Sequence, residues 1–430
     1  MKRAVYASLI CLFAIVFFTS VGMAQVEEMA IGNTFGVGAR TMGMGGASLG
    51  LSDDFTALYW NPAGMAQIQK FEFFSSFSHN RATTNAYFTG DETTGTSRSQ
   101  MRPNSIGFVY PLETRQGGLA VGFGYNRPQN FDYQTAIQGI DPSSGTDFSG
   151  FAVDEIDAYT GGIGIWSFGA SVYVTKRVLV GGSLDFWHGN SLNELDTEAT
   201  DILNVDDQWS RFRYDDEVDR EYSGVGGRIG LLAHLTDNIN LGVTLVSPVE
   251  LGVDELWRQS TIDVYDDGEK ATDSVSGNQT YDIERPFEVG AGIAVKLLNK
   301  RLVLAGDVQL TDWTQTRYDP APADDIPKDN FEEYYATTLQ VRVGAEYRIP
   351  VIDTHVRVGY LLDPIPFTDV LDDASAETVR NFLTAGVGKI FEDSLKLDVG
   401  YMLGTWERTM NAVTTERLSH RVFVSAAYRF

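Results

Sequence analysis

Apolar and polar side chains alternate along most of this chain, and this period of two restricts the fold more than any other feature. In the segment that ends at Ile349, alternate positions are apolar and the positions between them are polar, charged or glycine. The apolar positions are Leu339, Val341, Val343, Ala345, Tyr347 and Ile349, and those between them are Gln340, Arg342, Gly344, Glu346 and Arg348. The same period recurs from Leu395 to Gly404. Such alternation is typical of β-strands whose two faces meet different surroundings, so it predicts an all-β protein.

Transmembrane helices do not explain the apolar content. The longest stretch without a charged residue, 158–175, contains Gly161, Gly162, Gly164 and Gly169. Glycine at this density is unfavourable in a helix. The apolar fraction of 43% and the aromatic fraction of 12% exclude a disordered chain. The mature chain is therefore expected to contain strands and no membrane-spanning helix.

Connection lengths separate a membrane barrel from a soluble β-sandwich, whose strands would alternate as well. Fourteen strands are predicted, at approximately 70–79, 103–111, 117–126, 159–175, 177–188, 222–235, 238–248, 284–297, 301–316, 335–349, 353–363, 378–391, 394–408 and 418–430. Short turns alternate with long loops, and the long loops are 80–102, 127–158, 189–221, 249–283, 317–334, 364–377 and 409–417. Short turns on one rim and long loops on the other indicate a 14-stranded antiparallel transmembrane β-barrel of an outer membrane.

Charge is segregated in the same way. The protein has 58 acidic and 33 basic residues, a net charge of −25, which argues against a nucleic-acid partner because phosphates attract Lys and Arg. The predicted long loops hold 39 acidic and 12 basic residues. The negative excess therefore lies on one rim. These carboxylates either keep the loops solvated or bind divalent cations that bridge to outer-membrane lipids and lipopolysaccharide.

The amino-terminal residues are typical of an exported protein. Two basic residues precede an apolar run over residues 4–18, and small residues end the segment at Ala24. This pattern predicts a cleaved signal peptide over residues 1–24. The alternative is a membrane anchor, for which a run of about 15 residues is short. The only cysteine, Cys11, lies within this run, so the mature chain is expected to have no disulfide.

The carboxyl-terminal strand ends the chain on an aromatic residue. Its apolar face is formed by Val422, Val424, Ala426, Tyr428 and Phe430. A strand of this kind resembles the signal that barrel-assembly machinery recognises, so that machinery is a predicted partner through Phe430. We expect a monomeric barrel in the outer membrane of a Gram-negative bacterium.

A barrel of fourteen strands would enclose an open lumen unless another segment filled it. Residues 25–69 are rich in glycine and alanine and contain a large apolar set: Met42, Met44, Leu49, Leu51, Phe55, Leu58, Tyr59 and Trp60. Because such a set should be buried, we predict a hatch inside the lumen; the alternative is a disordered periplasmic tail. The predicted organisation is a signal peptide at 1–24, a hatch at 25–69 and a barrel at 70–430.

Residue patterns for catalysis or metal binding are absent from the sequence. No two of the five histidines have metal-ligand spacing, and there is no phosphate-binding glycine loop or nucleophile elbow. We therefore predict no enzyme activity, no cofactor and no metal. The pairs Arg342/Glu346 and Lys396/Asp398 are expected to face the lumen as salt bridges, or as a relay for protons or substrate. An aromatic girdle near the long loops is predicted from Trp187, Trp257, Trp313 and Trp406.

The predicted hatch resembles that of the FadL/OmpP1/TodX family of outer-membrane transporters. The resemblance is carried by residues 38–47, 53–54 and 57–64, and it includes an Asn-Pro-Ala motif at Asn61, Pro62 and Ala63, followed by Gly64. Looser matches occur at 307–313, 357–366 and 397–401, so the resemblance extends from about residue 30 to Phe430.

The resemblance implies passive uptake of hydrophobic molecules such as long-chain fatty acids or hydrocarbons. In this family the outer loops capture a ligand, the hatch rearranges, and the ligand leaves sideways where a strand is kinked. Asn61 and Pro62 would hold a turn that matters for this rearrangement, or would only stabilise the hatch. The ligand-binding residues stay unassigned. The alternative is a partner protein similar to PorV, which serves a secretion system.

Overall fold

The computed structural model describes residues 32, 34–88, 91–115, 117–140, 150–206, 208–320, 335–366, 379–392, 394–410 and 413–430. Its strands are β1 (Glu72–Phe88), β2 (Asp91–Leu112), β3 (Leu119–Asn126), β4 (Tyr133–Ile140), β5 (Ala152–Tyr173), β6 (Val178–Thr200), β7 (Trp209–His234), β8 (Ile239–Val246), β9 (Val249–Tyr265), β10 (Lys270–Arg285), β11 (Glu288–Leu297), β12 (Leu302–Asp312), β13 (Arg317–Asp319), β14 (Thr337–Ile349), β15 (Thr354–Pro364), β16 (Val379–Phe391), β17 (Leu395–Met410) and β18 (Val413–Arg429).

These segments form one closed antiparallel barrel. The sheet closes because β1 pairs with β2 on one side and with β18 on the other. Four strands of the wall are each interrupted once, which gives the segment pairs β3/β4, β8/β9, β10/β11 and β12/β13. The eighteen segments therefore make fourteen strands, and the predicted barrel is confirmed.

Several predicted long loops are instead paired strands, so those predictions were wrong. Residues 189–221 belong mostly to β6 and β7, which stay in register from Val178 opposite Ala233 to Thr200 opposite Arg211. Residues 80–102 and 249–283 are likewise mostly strand. With 26 residues, β7 is about 85 Å long, against a hydrocarbon layer of about 30 Å. The outer end of β7 is therefore paired outside the lipid. Because no apolar face is needed there, the alternation of apolar and polar residues that predicts a strand is lost from the sequence.

The two faces of the wall differ as the alternation predicted. Leu339, Val343 and Val399 are exposed on the outer surface, whereas Arg342 and Asp398 are buried on the inner one. Lipid can cover the outer apolar side chains, and polar groups can bind one another inside. Among the described residues, no helix is long and apolar enough to cross a membrane.

The predicted tryptophan girdle was wrong. Trp187 and Trp313 are buried, and both rings pack against the guanidinium group of Arg285. Aromatic side chains cluster instead near the short-turn rim, where the ring of Phe71 lies 5.2 Å from that of Phe430. Alternation could not place single tryptophans near strand ends, because a shift of one residue moves a side chain to the other face.

Residues 34–69, called the hatch segment below, contact inward-facing residues of the wall. This segment contains two short helices, Ala39–Met42 and Ala57–Trp60, and a 3-10 helix, Pro62–Gln67. Its apolar side chains are buried, among them Met42, Phe55 and Leu58. Residues 1–31 lie outside the described residues, so the limits of the signal peptide (1–24) and of the hatch (25–69) stay predictions.

Candidate functional site in the hatch segment and the interrupted third strand

Asn61 connects two parts of the hatch segment to the wall. Its buried amide nitrogen donates to the carbonyl oxygens of Leu49, at 2.9 Å, and Leu231 of β7, at 3.1 Å. Its side-chain oxygen accepts from the backbone N–H of Ala63 at 3.2 Å. Its backbone is extended, as the residue before a proline requires, and Pro62 then begins the 3-10 helix. The motif therefore fixes a turn and attaches it to a strand.

Inward-facing glycines let the hatch backbone approach the wall at this point. A Cβ atom at Gly230 would collide with the side-chain oxygen of Asn61, and one at Gly242 would collide with the carbonyl oxygen of Leu49. Gly181 similarly leaves room for Pro62. These glycines serve close approach rather than an unusual backbone conformation. Gly64 of the motif packs against Ser52 in the same way.

Charged groups connect the other side of the hatch segment to the wall. Arg40 donates to both carboxylate oxygens of Glu346 on β14, at 3.0 and 2.9 Å, and also pairs with Asp53. Arg357 of β15 bonds the same Glu346 at 2.6 Å and reaches Asp398 at 2.8 Å. These four charged groups thus have counter-ions, as burial requires.

The two charge pairs predicted from the sequence have different outcomes. Lys396 and Asp398 form an ion pair at 3.5 Å, and Lys396 also reaches Asp54 of the hatch segment at 3.6 Å. Arg342 and Glu346 both face inward but bind different partners. Arg342 donates to Gln309 at 2.9 Å and lies over the ring of Trp60. That assumed pair was wrong because the hatch residue Arg40 takes the carboxylate of Glu346.

Two wall carboxylates that sequence reasoning missed bind the hatch backbone. Asp307 of β12 accepts from the N–H groups of Ser48, at 2.6 Å, and Leu49, at 2.9 Å. Glu72 of β1 accepts from the N–H of Phe55 at 2.7 Å. The sequence shows that Asp307 and Glu72 are acidic residues in strands. It does not show that their partners are backbone N–H groups of the hatch segment, which lies far away in the chain.

The third strand of the wall is interrupted between Asn126 and Tyr133. Below the interruption, β3 pairs with β2 and β5; above it, β4 pairs with β5. Residues 91–104 of β2 pair with β1. Among the described residues no backbone pairing joins β2 to β4, and we call this discontinuity the seam. The ring of Tyr133 at the start of β4 lies 4.1 Å from the guanidinium group of Arg417 on β18, so this part of the strand turns into the barrel.

The hatch segment is bonded to the lower end of the seam. Thr34 forms a β-bridge with Gln129, and the N–H of Phe35 donates to Pro128 at 2.9 Å. Asn104 of β2 accepts from the N–H of Gly38 at 3.0 Å. Any movement of residues 34–38 therefore changes contacts at the interruption.

An ion pair and an unusual glycine hold the kinked residues in place. Arg102 of β2 donates to both oxygens of Asp132, at 2.9 and 2.6 Å. Gly161 of β5 has a φ of 120°, which side chains disfavour, and its carbonyl accepts from Arg127 at 2.6 Å. Specific contacts therefore stabilise the interruption of the third strand.

The sequence matches a known family over nearly its whole length. The profile of outer-membrane transport proteins that includes OmpP1, FadL and TodX matches residues 15–427. The chain belongs to this family. Its members transport hydrophobic compounds across the outer membrane of Gram-negative bacteria and are not enzymes. No curated protein matches the chain significantly.

Solved structures share the architecture of this FadL/TodX-family barrel. The toluene transporter TodX of Pseudomonas putida is 16% identical, with a TM-score of 0.64 over 93% of this chain and 100% of that one. A FadL homologue of Pseudomonas aeruginosa is 14% identical, with a TM-score of 0.65 and the same coverage. The toluene transporter TbuX of Ralstonia pickettii is 18% identical, with a TM-score of 0.59 over 93% of this chain and 99% of that one. At these identities the likeness establishes the fold.

Metal-ligand geometry does not occur in the described part of the chain. No group of three or more His, Cys, Asp or Glu residues there could hold an ion.

Proposed function

We propose that this protein carries long-chain fatty acids or similar apolar molecules passively into the outer membrane, with lateral release through the seam. The observation that carries the proposal is the seam, where the described residues of β2 and β4 share no backbone pairing and which is bonded to the hatch segment through Thr34, Phe35 and Gly38. An apolar solute gains free energy by staying out of water, so a sideways route into lipid is favourable.

Exposed apolar side chains at the outer end of the barrel support ligand capture. Ile202, Leu203 and Val205, between β6 and β7, are each more than half exposed. Ile140 and Ile156 are also exposed near the outer ends of β4 and β5. Because β6 and β7 extend beyond the hydrocarbon layer, these side chains meet water, and contiguous apolar surface in water marks a binding surface.

A buried apolar cluster links the hatch segment to the kinked strand. Phe35 and Trp60 of the hatch segment belong to the same cluster as Phe131 in the interruption. Phe131 in turn packs against the ring of Tyr222 on β7. Rearrangement of residues 34–38 would therefore uncover apolar surface next to the seam.

A disulfide across the seam tests this function. Thr96 of β2 donates through its hydroxyl to the backbone carbonyl oxygen of Gln134 on β4 at 3.1 Å, so the two strands lie close together here, and Thr96→Cys with Gln134→Cys places one cysteine on each side of the seam. We expect oxidation to reduce uptake of radiolabelled oleate by cells to the level of the deletion strain, and reduction to restore it. Cys11 does not interfere, because it lies in the predicted signal peptide.

The control places a second disulfide in a ladder that is already paired. Arg81 lies opposite Ser99 in the β1–β2 ladder, so Arg81→Cys with Ser99→Cys joins strands without crossing the seam. Oxidised control cells should take up oleate normally. Uptake that survives the Thr96–Gln134 disulfide would exclude the lateral route, and unchanged uptake after gene deletion would favour a secretion-partner role similar to PorV.

A further inference from the structure

A groove on the lipid-facing side of the wall extends across β5, β6, β7 and β8. Its volume is about 590 Å³, within the about 300–1,000 Å³ typical of small-molecule sites. Ala170 of β5 and Gly182 of β6 lie opposite each other and form its floor. Larger apolar residues surround this floor: Val172, Val180, Ile229, Leu231 and Leu245. Because dispersion contacts need close approach on several sides, this depression holds an acyl chain better than a smooth wall does.

Two cations lie below this groove, in the short turn between β5 and β6. Lys176 and Arg177 are exposed, and the guanidinium group of Arg177 donates to the carbonyl oxygen of Leu235 at 2.8 Å. Arg177 also lies 3.7 Å from Asp237, but both side chains are more than half exposed, so this ion pair is weak. Short turns of outer-membrane barrels face the periplasm, where phospholipids form the leaflet. The turn therefore presents positive charge at the level of phospholipid headgroups.

The distance between the turn and the groove fits one phospholipid. Gly182 is five residues beyond Arg177 in the sequence, which corresponds to about 17 Å along the strand. A strand tilt of about 45° places Gly182 about 12 Å above the turn, within the about 15 Å of hydrocarbon in one leaflet. A phosphate bound at the turn would therefore leave an acyl chain lying in the groove.

The groove lies on the opposite side of the wall from the attachment of the hatch segment. The side chain of Leu231 lines the groove, whereas its carbonyl oxygen accepts from Asn61 at 3.1 Å. Gly182 in the floor follows Gly181, where Pro62 approaches the wall from inside. An acyl chain packed in the groove would therefore restrain β6 and β7, the two strands that contact Asn61 and Pro62.

We infer that this groove and turn form a binding site for an anionic phospholipid of the periplasmic leaflet, and that the bound lipid stabilises the wall where the hatch segment is attached. Lys176 and Arg177 bind the phosphate, and one acyl chain fills the groove over Gly182. Both features face the membrane rather than the lumen, so this lipid is a structural partner and not a transported molecule. The inference does not depend on the proposed transport function.

Native mass spectrometry of the purified barrel tests the headgroup contacts with two lipids that share their acyl chains, phosphatidylglycerol and phosphatidylethanolamine. We expect wild type to bind the anionic phosphatidylglycerol about tenfold more tightly, a difference of about 1.4 kcal/mol. Lys176→Gln with Arg177→Gln should abolish this preference. The matched control is Lys300→Gln with Arg301→Gln, because both residues are exposed near the short turn between β11 and β12. This control should keep the preference.

Gly182→Leu tests the groove separately from the turn. A Cβ atom at Gly182 comes no closer than 3.4 Å to a neighbouring atom, so the added side chain should fill the groove without disturbing the wall. We expect the affinity for both lipids to fall several-fold. Phosphatidylglycerol should raise the midpoint temperature for loss of the compact barrel by several degrees in wild type but not in this variant. Gly306→Leu, at another outward-facing glycine, is the control and should bind both lipids as wild type does.

The outcomes decide between a specific lipid site and its alternatives. Equal binding of the two lipids by wild type, or a preference that survives in the variant of the β5–β6 turn, overturns the inference. Equal loss in the β11–β12 control shows only a general attraction to the rim and overturns it as well. A barrel that retains no lipid but forms a dimer, which Gly182→Leu dissociates, assigns the groove to a second copy of the chain. If Gly182→Leu does not fold, as judged by heat-modifiable migration, Ala170→Leu on the same floor decides, and unchanged lipid binding by the folded variant contradicts the inference.

Discussion

At the scale of single residues, the hatch is held by two different kinds of contact. On one side, inward glycines such as Gly230 let the backbone and Asn61 lie against the wall. On the other side, Glu346 accepts from Arg40 of the hatch and from Arg357 of the wall. Close packing tolerates no added atom, whereas an ion pair can break and re-form with a new partner. We therefore expect the contacts at the inward glycines to stay fixed when the hatch segment rearranges.

Adding a single methyl group at Gly230 should weaken the packing of the hatch segment against the wall. In Gly230→Ala the new Cβ atom collides with Asn61, so we expect a loss of about 1–3 kcal/mol. The measurement is the midpoint temperature for loss of the compact barrel in detergent gels. The matched control is Gly306→Ala on β12, where the nearest atom lies 3.9 Å from the added carbon. Equal midpoints for the two variants would show that the hatch does not depend on this close approach.

At the scale of elements, the interrupted third strand is the part of the wall that can change. Between β6 and β7 and between β16 and β17, by contrast, the ladders are continuous, and opening one requires breaking many backbone hydrogen bonds together. At the seam, Asp132 replaces such a ladder with side-chain bonds to Arg102. A boundary held by a few side chains opens at a lower cost in free energy than a continuous ladder, which is why lateral release is proposed here.

Weakening this boundary should make the barrel leak. Asp132→Asn removes the negative charge that Arg102 binds at two points, so the seam should open more often. We expect cells with this variant to admit the apolar dye 1-N-phenylnaphthylamine several-fold faster than wild-type cells. Asp312→Asn, which changes a half-buried carboxylate on another wall strand, is the control. If dye enters cells with Asp132→Asn at the wild-type rate, Asp132 does not hold the seam closed.

At the scale of the whole molecule, closure of the barrel joins the first and last strands. All residues from Glu72 to Phe88 in β1 pair with β18, and the N–H of Phe430 donates to the carbonyl of Phe71. This pairing leaves no free edge between the first and last strands, and lipid would not tolerate such an edge. The acidic long-loop rim then projects into water, so the same closure separates the charged end from the lipid-facing wall.

Deleting Phe430 should impair assembly more than function. The terminal residue is the predicted contact for barrel-assembly machinery, and its ring also packs on Phe71. We expect several-fold less heat-modifiable barrel in outer membranes, with normal oleate uptake per folded molecule. Phe391→Ala, which changes an exposed aromatic residue at the end of β16, is the control. Full assembly without Phe430 would contradict the predicted recognition signal.

The sequence by itself determined the number of strands, their antiparallel order and the Asn61-Pro62 turn. Lipid outside and polar groups inside impose a period of two, and proline restricts the residue before it. Only the tertiary structure decided where strands continue beyond the membrane, because a strand with water on both sides keeps no apolar alternation. It also decided the seam at residues 127–132 and the hatch contacts of Asp307, since each depends on groups distant in the chain that closure brings together.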